Sequence, residues 1–182
     1  VSAAIGLNDD GTGIPDITAL TADLSAAAGI GDAQPVQLSG VTLLDAATAS
    51  GDIFIENSAT AAATVNTLNV TGGAGNVDYT QTGSQTLDVV ASSTANGTID
   101  ITNDGAALTA RFVDASTGNR NVTLNTITAG DVLVNDVRAG SATAIINSIA
   151  GIEETSPGDA GADITAATID LNPALGIGDD GQ

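Results

Sequence analysis

The stretch GDIFIEN, residues 51–57, decides the fold, because its outline returns along the chain. It opens on glycine, continues through apolar and acidic residues, and closes on asparagine. Related stretches are GNVDYTQ at 75–81, GTIDITN at 97–103 and GDVLVND at 130–136. The first three glycines lie 24 and 22 residues apart, and the weaker copy NRNVTLN at 119–125 begins 22 residues later. A fixed spacing of this size indicates an internal structural repeat.

A second apolar segment follows each copy of the first. These segments are TLNV at 67–70, TLDVV at 86–90, ALTARFV at 107–113 and DVLVN at 131–135. Short β-branched segments bounded by Gly, Asn and Asp are typical of strands and turns, and no helical periodicity is present. Two or more strands in each repeat of about 22–24 residues predict an all-β solenoid, the parallel β-helix, as a single segment over 1–182.

Stacking the copies predicts which side chains meet inside the coil. Ile53 is expected over Val77 over Ile99, and a second row is expected to hold Ile55, Tyr79 and Ile101. Tyr79 is the largest member of these rows and the least suited to a narrow interior. Aliphatic and β-branched residues otherwise fit parallel strands that are buried on their inner side.

Glycine and asparagine mark the predicted corners of the coil. The glycines are Gly51, Gly75, Gly97 and Gly130, and the asparagines are Asn57, Asn103 and Asn135. Glycine tolerates a positive φ at a tight corner, and asparagine can hydrogen-bond the backbone of its own turn. Stacked asparagines can also form side-chain ladders. The alternative is that these asparagines are ordinary turn residues.

A longer recurrence overlies the short one. Residues 16–32 and 163–179 are identical at 12 of 17 positions, at a separation of 147 residues. The sequence therefore predicts a super-repeat, with 16–162 as one unit and 163–182 as the start of the next. Together with the first residue, Val1, this suggests a piece of a much larger tandem protein.

Composition excludes several classes of function. The chain has 22 acidic residues against three arginines, a formal net charge of −19, so nucleic acid is not expected as a partner. It contains no His, Lys or Cys, which argues against an enzyme, since the lyases and hydrolases built on parallel β-helices need a base or paired carboxylates. No apolar run reaches the ~18 residues of a membrane span, so membrane insertion is not expected. Disorder is the remaining alternative, and the clustering of the apolar residues argues against it.

One acidic stretch is a candidate calcium site. NDDGTGIPD, residues 8–16, resembles the DxDGDGIPD calcium loops of extracellular spacer domains, with Asn8, Asp10 and Asp16 as the candidate ligands. Ca²⁺ prefers oxygen ligands of this kind. The alternative is an ordinary acidic turn, and no other cofactor is expected.

The order of these motifs resembles the repeats of filamentous-haemagglutinin-like giant surface proteins of bacteria. The order runs from DITAxTxDL at 16–24, through GIGD at 29–32 and an apolar segment at 36–44, to GDIFIEN at 51–57. The resemblance implies a right-handed parallel β-helical rod exported to the cell surface, in an adhesin, a stalk or an extracellular filament.

These observations predict an extracellular structural rod, not an enzyme. Its expected partners are further copies of itself, stacked head to tail, or flanking repeats of the same chain. The alternative is an adhesive or matrix-binding module with weak calcium sites. Its aromatic residues, Phe54, Tyr79 and Phe112, are scattered singly and offer no obvious platform for sugar stacking.

Overall fold

Parallel strands and turns make up the molecule. The computed structural model of the chain describes residues 1–3, 6–31, 33–155 and 161–178, and it contains no helix within them. In chain order the strands of this described part are β1 (Ser2–Ala3), β2 (Ile17–Thr18), β3 (Thr21–Ala26), β4 (Val36–Ser39), β5 (Leu43–Thr48), β6 (Ile53–Ser58), β7 (Ala63–Val70), β8 (Val77–Thr82), β9 (Leu87–Val89), β10 (Ser92–Thr94), β11 (Ile99–Asn103), β12 (Leu108–Ala110), β13 (Val113–Asp114), β14 (Val122–Thr126), β15 (Val132–Val134), β16 (Val137–Ser148), β17 (Gly151–Glu154), β18 (Ile164–Pro173) and β19 (Gly176–Ile177).

Each strand pairs with its counterpart one coil further along the chain. Ile53 pairs with Val77, Val77 with Ile99 and Ile99 with Val122, at separations of 24, 22 and 23 residues. All these pairings are parallel, and together they build a solenoid of about seven coils. The predicted all-β parallel β-helix with coils of about 22–24 residues is therefore confirmed.

The coil has three faces. Face 1 consists of β2, β4, β6, β8, β11, β14 and the C-terminal parts of β16 and β18. Face 2 consists of β9, β12, β15, β17 and β19. Face 3 consists of β1, β10, β13 and the N-terminal parts of β16 and β18. In the first coils, β3, β5 and β7 each run along faces 2 and 3 as one strand.

The bend between faces 2 and 3 comes from one extra residue. Leu44 pairs with Val65, whereas Asp45 pairs with Thr67, so Asn66 is inserted into β7 as a bulge. An insertion of one residue reverses which side of the strand faces inward. Val65 and Leu68 therefore both point into the coil, although they lie an odd number of residues apart, and both are fully buried.

The predicted interior rows are confirmed residue by residue. Ile53, Val77 and Ile99 stack as register partners, and so do Ile55, Tyr79 and Ile101, all with no exposed surface. Within the strands buried residues alternate with half-buried ones, as a strand with one inner face requires. Each fully buried aliphatic side chain contributes about 1.5–3 kcal/mol by leaving water.

Tyr79 fits because polar atoms surround its hydroxyl. Asn57 Nδ2 donates to the hydroxyl at 3.3 Å, and the hydroxyl donates to Gln81 Oε1 at 3.4 Å. Burial raises the pKa of Tyr79, so the phenol stays protonated and available as a donor. The ring therefore fills the interior row while its polar end joins the corner.

The two copies of DITAxTxDL lie on different faces. At 16–24 the pattern is divided between β2 on face 1 and β3 on faces 2 and 3. At 163–171 all but its first residue lies in the continuous strand β18, which pairs with β16 along faces 3 and 1. The separation of 147 residues is thus not a whole number of coils. The super-repeat boundary at 162 and 163 remains a prediction, and its residues 179–182 lie outside the described part.

Candidate functional sites: corners, acidic turn and open coil ends

Three of the predicted corner glycines share one corner, between faces 3 and 1. Gly51 has a φ of +76°, as predicted for a tight corner. Gly75 and Gly97 have no positive φ, so the predicted reason is wrong for them. A Cβ on Gly75 would lie 2.2 Å from Gly51 O, and one on Gly97 would lie 1.9 Å from Gly75 O. These glycines are required because successive coils approach each other too closely for any side chain.

Gly130 and Asn135, from the copy at 130–136, lie elsewhere on the coil. Strand β15 of GDVLVND pairs with β12 and β17 on face 2, so this copy does not stack on GDIFIEN. Gly130 has a φ of +91°, and a Cβ there would lie 2.2 Å from the backbone of Ala106. Asn135 Nδ2 donates to Arg111 O at 3.1 Å, on the surface. The seven-residue outline therefore marks strand starts in general and not one particular face.

Asn57 and Asn103 point into the coil and form a polar row beneath the corner between faces 1 and 2. Both are fully buried, and Gln81 lies between them in register. Asn103 Nδ2 lies 2.9–3.0 Å from three corner carbonyl oxygens, those of residues 85, 106 and 107. Gln81 Nε2 donates to Asn103 Oδ1 at 3.2 Å. The asparagines therefore bind turn carbonyls and join a ladder, and sequence analysis missed Gln81 as its middle member.

The predicted calcium ligands Asp10 and Asp16 do come together, and Asp9 joins them. One carboxylate oxygen from each of the three residues lies within 4.8 Å of the others. The stretch 8–16 leaves face 1 after Leu7, which pairs with Ile30, and the chain returns to that face at Ile17. Asn8 is exposed, and the third carboxylate comes from its neighbour Asp9. The turn therefore gathers oxygen ligands of the type that Ca²⁺ binds.

Two of these carboxylates already have protein partners. Asp10 Oδ1 accepts hydrogen bonds from Thr12 Oγ1 at 2.7 Å and Thr12 N at 3.0 Å, which lower the pKa of Asp10. Asp16 Oδ2 accepts from Gln37 N at 2.8 Å. Asp9 Oδ1 is buried and makes no hydrogen bond. The same contacts would order an acidic turn without an ion. They therefore fit both a calcium site and an ordinary acidic turn.

The last described coil leaves its inward side chains in solvent. Ile169 continues the row of Ala144, and Ile177 continues the row of Ile152. Ala144 and Ile152 are 0% and 2% exposed, whereas Ile169 and Ile177 are 47% and 59% exposed. Ile164, Leu171 and Ile177 border an open cavity of about 230 Å³ at this end. The coil interior is therefore accessible where β18 and β19 end the stack.

Strand edges are unpaired at both ends of the described part. β18 pairs with β16 alone and β19 with β17 alone, so neither has a following strand there. In the first coil, β2 pairs only with β4, and Leu20 beside it is 72% exposed. An exposed strand edge is a template for pairing with another strand. Both ends thus have the hydrogen-bonding groups and the apolar surface that another coil would cover.

Comparison of the chain with protein-family models, with curated proteins and with solved structures gives no match. The likeness to filamentous-haemagglutinin-like proteins therefore stays a resemblance of motifs. Within the described residues, no helix has the length and apolar character needed to cross a membrane.

Proposed function

We propose that this chain is a stiff structural segment of an extracellular, repetitive surface protein or filament. The observation that carries the proposal is the exposure of Ile169 and Ile177, which continue interior rows whose members one coil earlier, Ala144 and Ile152, are buried. A row of inward-facing side chains is expected to end in solvent at the position where another coil would stack on it. The function of such a segment is its shape: it sets length and spacing between whatever its two ends carry.

Solenoid energetics support continuation of the stack. Each coil contacts only its neighbours, so an end coil lacks half of the interactions that stabilise an inner one. Covering Ile169 and Ile177 would remove most of their exposed apolar area from water, a gain of roughly 1 kcal/mol each. Pairing the ten residues of β18 would add a ladder of hydrogen bonds. The next coil can come from the same chain or from a second copy, in a head-to-tail contact that generates a filament.

Composition supports a structural role at the cell surface. The net charge of −19 keeps an elongated particle soluble and repels nucleic acid. The absence of cysteine suits a secreted protein that folds without disulfides, and the absence of His and Lys supports a role without catalysis. Placement outside a bacterial cell rests on the resemblance described above.

A tandem array tests the rod directly. A chain of three copies of residues 16–162 in series is expected to form one continuous rod, as seen by electron microscopy and small-angle X-ray scattering. Each unit should add about 30 Å of length, from the ~4.8 Å spacing of paired strands. Thermal stability should also rise from one unit to three. Three separate globules on flexible tethers, with no gain in stability, would overturn the proposal.

Self-stacking is tested on the chain itself. At high protein concentration, sedimentation should detect oligomers that Ile169→Lys removes, because the charge would be buried between coils. Ile127→Lys is the matched control, since Ile127 is 56% exposed on a side of the coil, away from the end. Loss of oligomers in both variants alike would contradict head-to-tail stacking. If the protein stays monomeric at all concentrations, the next coil would have to come from the same chain and not from a second copy.

A further inference from the structure

A groove runs over face 3, bordered by a polar row. Asn69, Ser93, Asp114 and Arg138 are register partners on four successive coils. All four side chains point outward, and the first three line an open groove of about 440 Å³. This volume lies in the range of sites for small ligands.

Phe112 forms part of the groove wall. It is half-buried, and the guanidinium carbon of Arg138 lies 5.5 Å from the centre of its ring. The other large ring near the middle of the chain, Tyr79, is fully buried. Scattered aromatics in the sequence predicted no platform for sugars, but the fold places one ring beside a ladder of polar side chains.

The polar groups of this groove are held in place by the protein, and each keeps a hydrogen-bond donor or acceptor for a ligand. Ser93 Oγ donates to Asn69 Oδ1 at 2.9 Å, which orients the Asn69 amide and leaves its N–H groups as donors. Ser116 N donates to Asp114 Oδ1 at 2.7 Å, so the carboxylate is held with its second oxygen as an acceptor. We propose that this groove binds a neutral, linear glycan, a function beyond that of a structural rod. Sugar hydroxyls would pair with Asn69 and Asp114, and the C–H surface of a sugar ring would pack on the part of Phe112 that lines the groove beside Arg138.

Other ligand classes fit less well. A peptide would bind a coil by adding a strand, but β10 and β13 are already paired on both sides. A polyanion would meet Asp114 and the net charge of −19, and the charge of Arg138 is compensated by Asp136 at 2.6 Å. A purely apolar ligand would leave the polar row without partners.

The surface beyond Arg138 favours an elongated ligand. Thr165 is the register partner of Arg138 on the next coil, so the row continues past the arginine. A second depression, of about 560 Å³, is lined by Asp136, Arg138 and Thr165 among others. The second depression lies further along the coil axis and towards the corner between faces 2 and 3, so a ligand that fills both would cross the polar row obliquely, and a chain of several sugar units has the length to do so.

Nuclear magnetic resonance can map the site on the intact chain. Titration of ¹⁵N-labelled protein with maltohexaose, mannohexaose, cellohexaose and chitohexaose is expected to give, for at least one of them, saturable shifts of the Asn69, Ser93 and Asp114 amides. Phe112→Ala and Asp114→Asn should each weaken this binding at least tenfold. Asp114→Asn keeps one acceptor oxygen for Ser116 N and replaces the second oxygen by an amide donor, so it tests the acceptor offered to the ligand without removing the turn.

Phe54→Ala is the matched control, because Phe54 is also half-buried and outward-facing but lies on face 1. It should leave the affinity unchanged, and thermal melts should show that all three variants are folded. No shifts with any of the four hexasaccharides, shifts centred on another face, or equal weakening by Phe54→Ala would each overturn the proposal. Stronger shifts of the same amides with a heparin hexasaccharide would overturn the assignment to neutral glycans.

Discussion

One added methyl group at Gly97 should force two coils apart. A Cβ at this position would lie 1.9 Å from Gly75 O, 2.4 Å from Gly75 C and 2.9 Å from Asn76 N, all backbone atoms that no side-chain rotation can move away. Gly97 has no positive φ, so alanine brings no conformational strain of its own. The effect of Gly97→Ala therefore measures the contact between coils alone.

The cost follows from the distances. Relieving the clash requires a separation of more than 1 Å between strands that normally lie about 4.8 Å apart. Overpacking of this kind typically costs 1–3 kcal/mol, and loss of the neighbouring bond from Val77 N to Thr98 O, 2.9 Å long, adds about 1 kcal/mol. Gly97→Ala should thus destabilise the fold by about 2–4 kcal/mol.

Urea denaturation followed by circular dichroism provides the assay. With a slope of about 2 kcal/mol per molar, the midpoint for Gly97→Ala should fall by about 1–2 M. Gly72→Ala is the control, because Gly72 also has no positive φ and its nearest neighbour, Ala49 O, would lie 3.2 Å from the new Cβ. Its stability should change by less than about 0.5 kcal/mol. Equal midpoints for the two variants would refute the argument that coil contact selects glycine here.

Three further predictions concern charge and polar burial. Burial, followed by repulsion from the carboxylate of the next coil, raises the pKa of Asp78, so its ionisation destabilises the fold at neutral pH. Asp78→Asn should therefore raise the melting temperature at pH 7, and this gain should disappear as the pH falls towards 3.8, the ordinary pKa of an aspartate. A gain that does not depend on pH would contradict this. Asn103→Ala removes the donor of Ala106 O, whereas Gln85 O keeps Gln81 Nε2 and Ala107 O keeps Leu87 N, so it should cost roughly 1–3 kcal/mol in urea denaturation. Asn135→Ala, on the surface, should cost less than about 1 kcal/mol. Millimolar Ca²⁺ should raise the melting temperature through the acidic turn, and Asp10→Asn with Asp16→Asn should remove that rise; melts unaffected by Ca²⁺ and EDTA would show an ordinary turn.

The stacking on face 1 was predictable because its signal is local and periodic. Copies at 51, 75 and 97 each place an inward residue two positions after glycine, so aligning them fixes the register of Ile53, Val77 and Ile99. A parallel stack turns sequence alignment directly into spatial contact. The corner role of Asn57 and Asn103 was predictable for the same reason, since each closes a copy of the seven-residue outline.

Faces 2 and 3 were less predictable because their signals depend on bends. TLNV at 67–70 lies on face 3 and TLDVV at 86–90 on face 2, although both appear as the second segment of a repeat. The bulge at Asn66, which separates these faces in β7, leaves no mark in composition. The groove beside Phe112 runs over face 3, so predicting its ladder of side chains required the register of four coils.

Asp9 and Gly75 show two other limits of sequence reasoning. Motif comparison assigned the ligands of the acidic turn by spacing, but the fold of the loop decides which carboxylates meet. Glycine at 75 was explained by backbone conformation, whereas its neighbour in the preceding coil excludes a side chain. The ligand set of the acidic turn depends on how that loop folds, and the need for glycine at 75 depends on a contact with the preceding coil.

Parallel stacking of coils in register is the central claim, and paired cysteines test it most directly, since the chain has none of its own. Thr80 and Thr102 are partners on adjacent strands, and so are Asp78 and Asp100. Strands about 4.8 Å apart place such partners within disulfide range. Under mild oxidation, Thr80→Cys with Thr102→Cys and Asp78→Cys with Asp100→Cys should each form a disulfide within one chain. An antiparallel pairing that joined 80 to 102 would instead join 78 to 104, so a disulfide in Asp78→Cys with Asp104→Cys, and none in Asp78→Cys with Asp100→Cys, would contradict the coil.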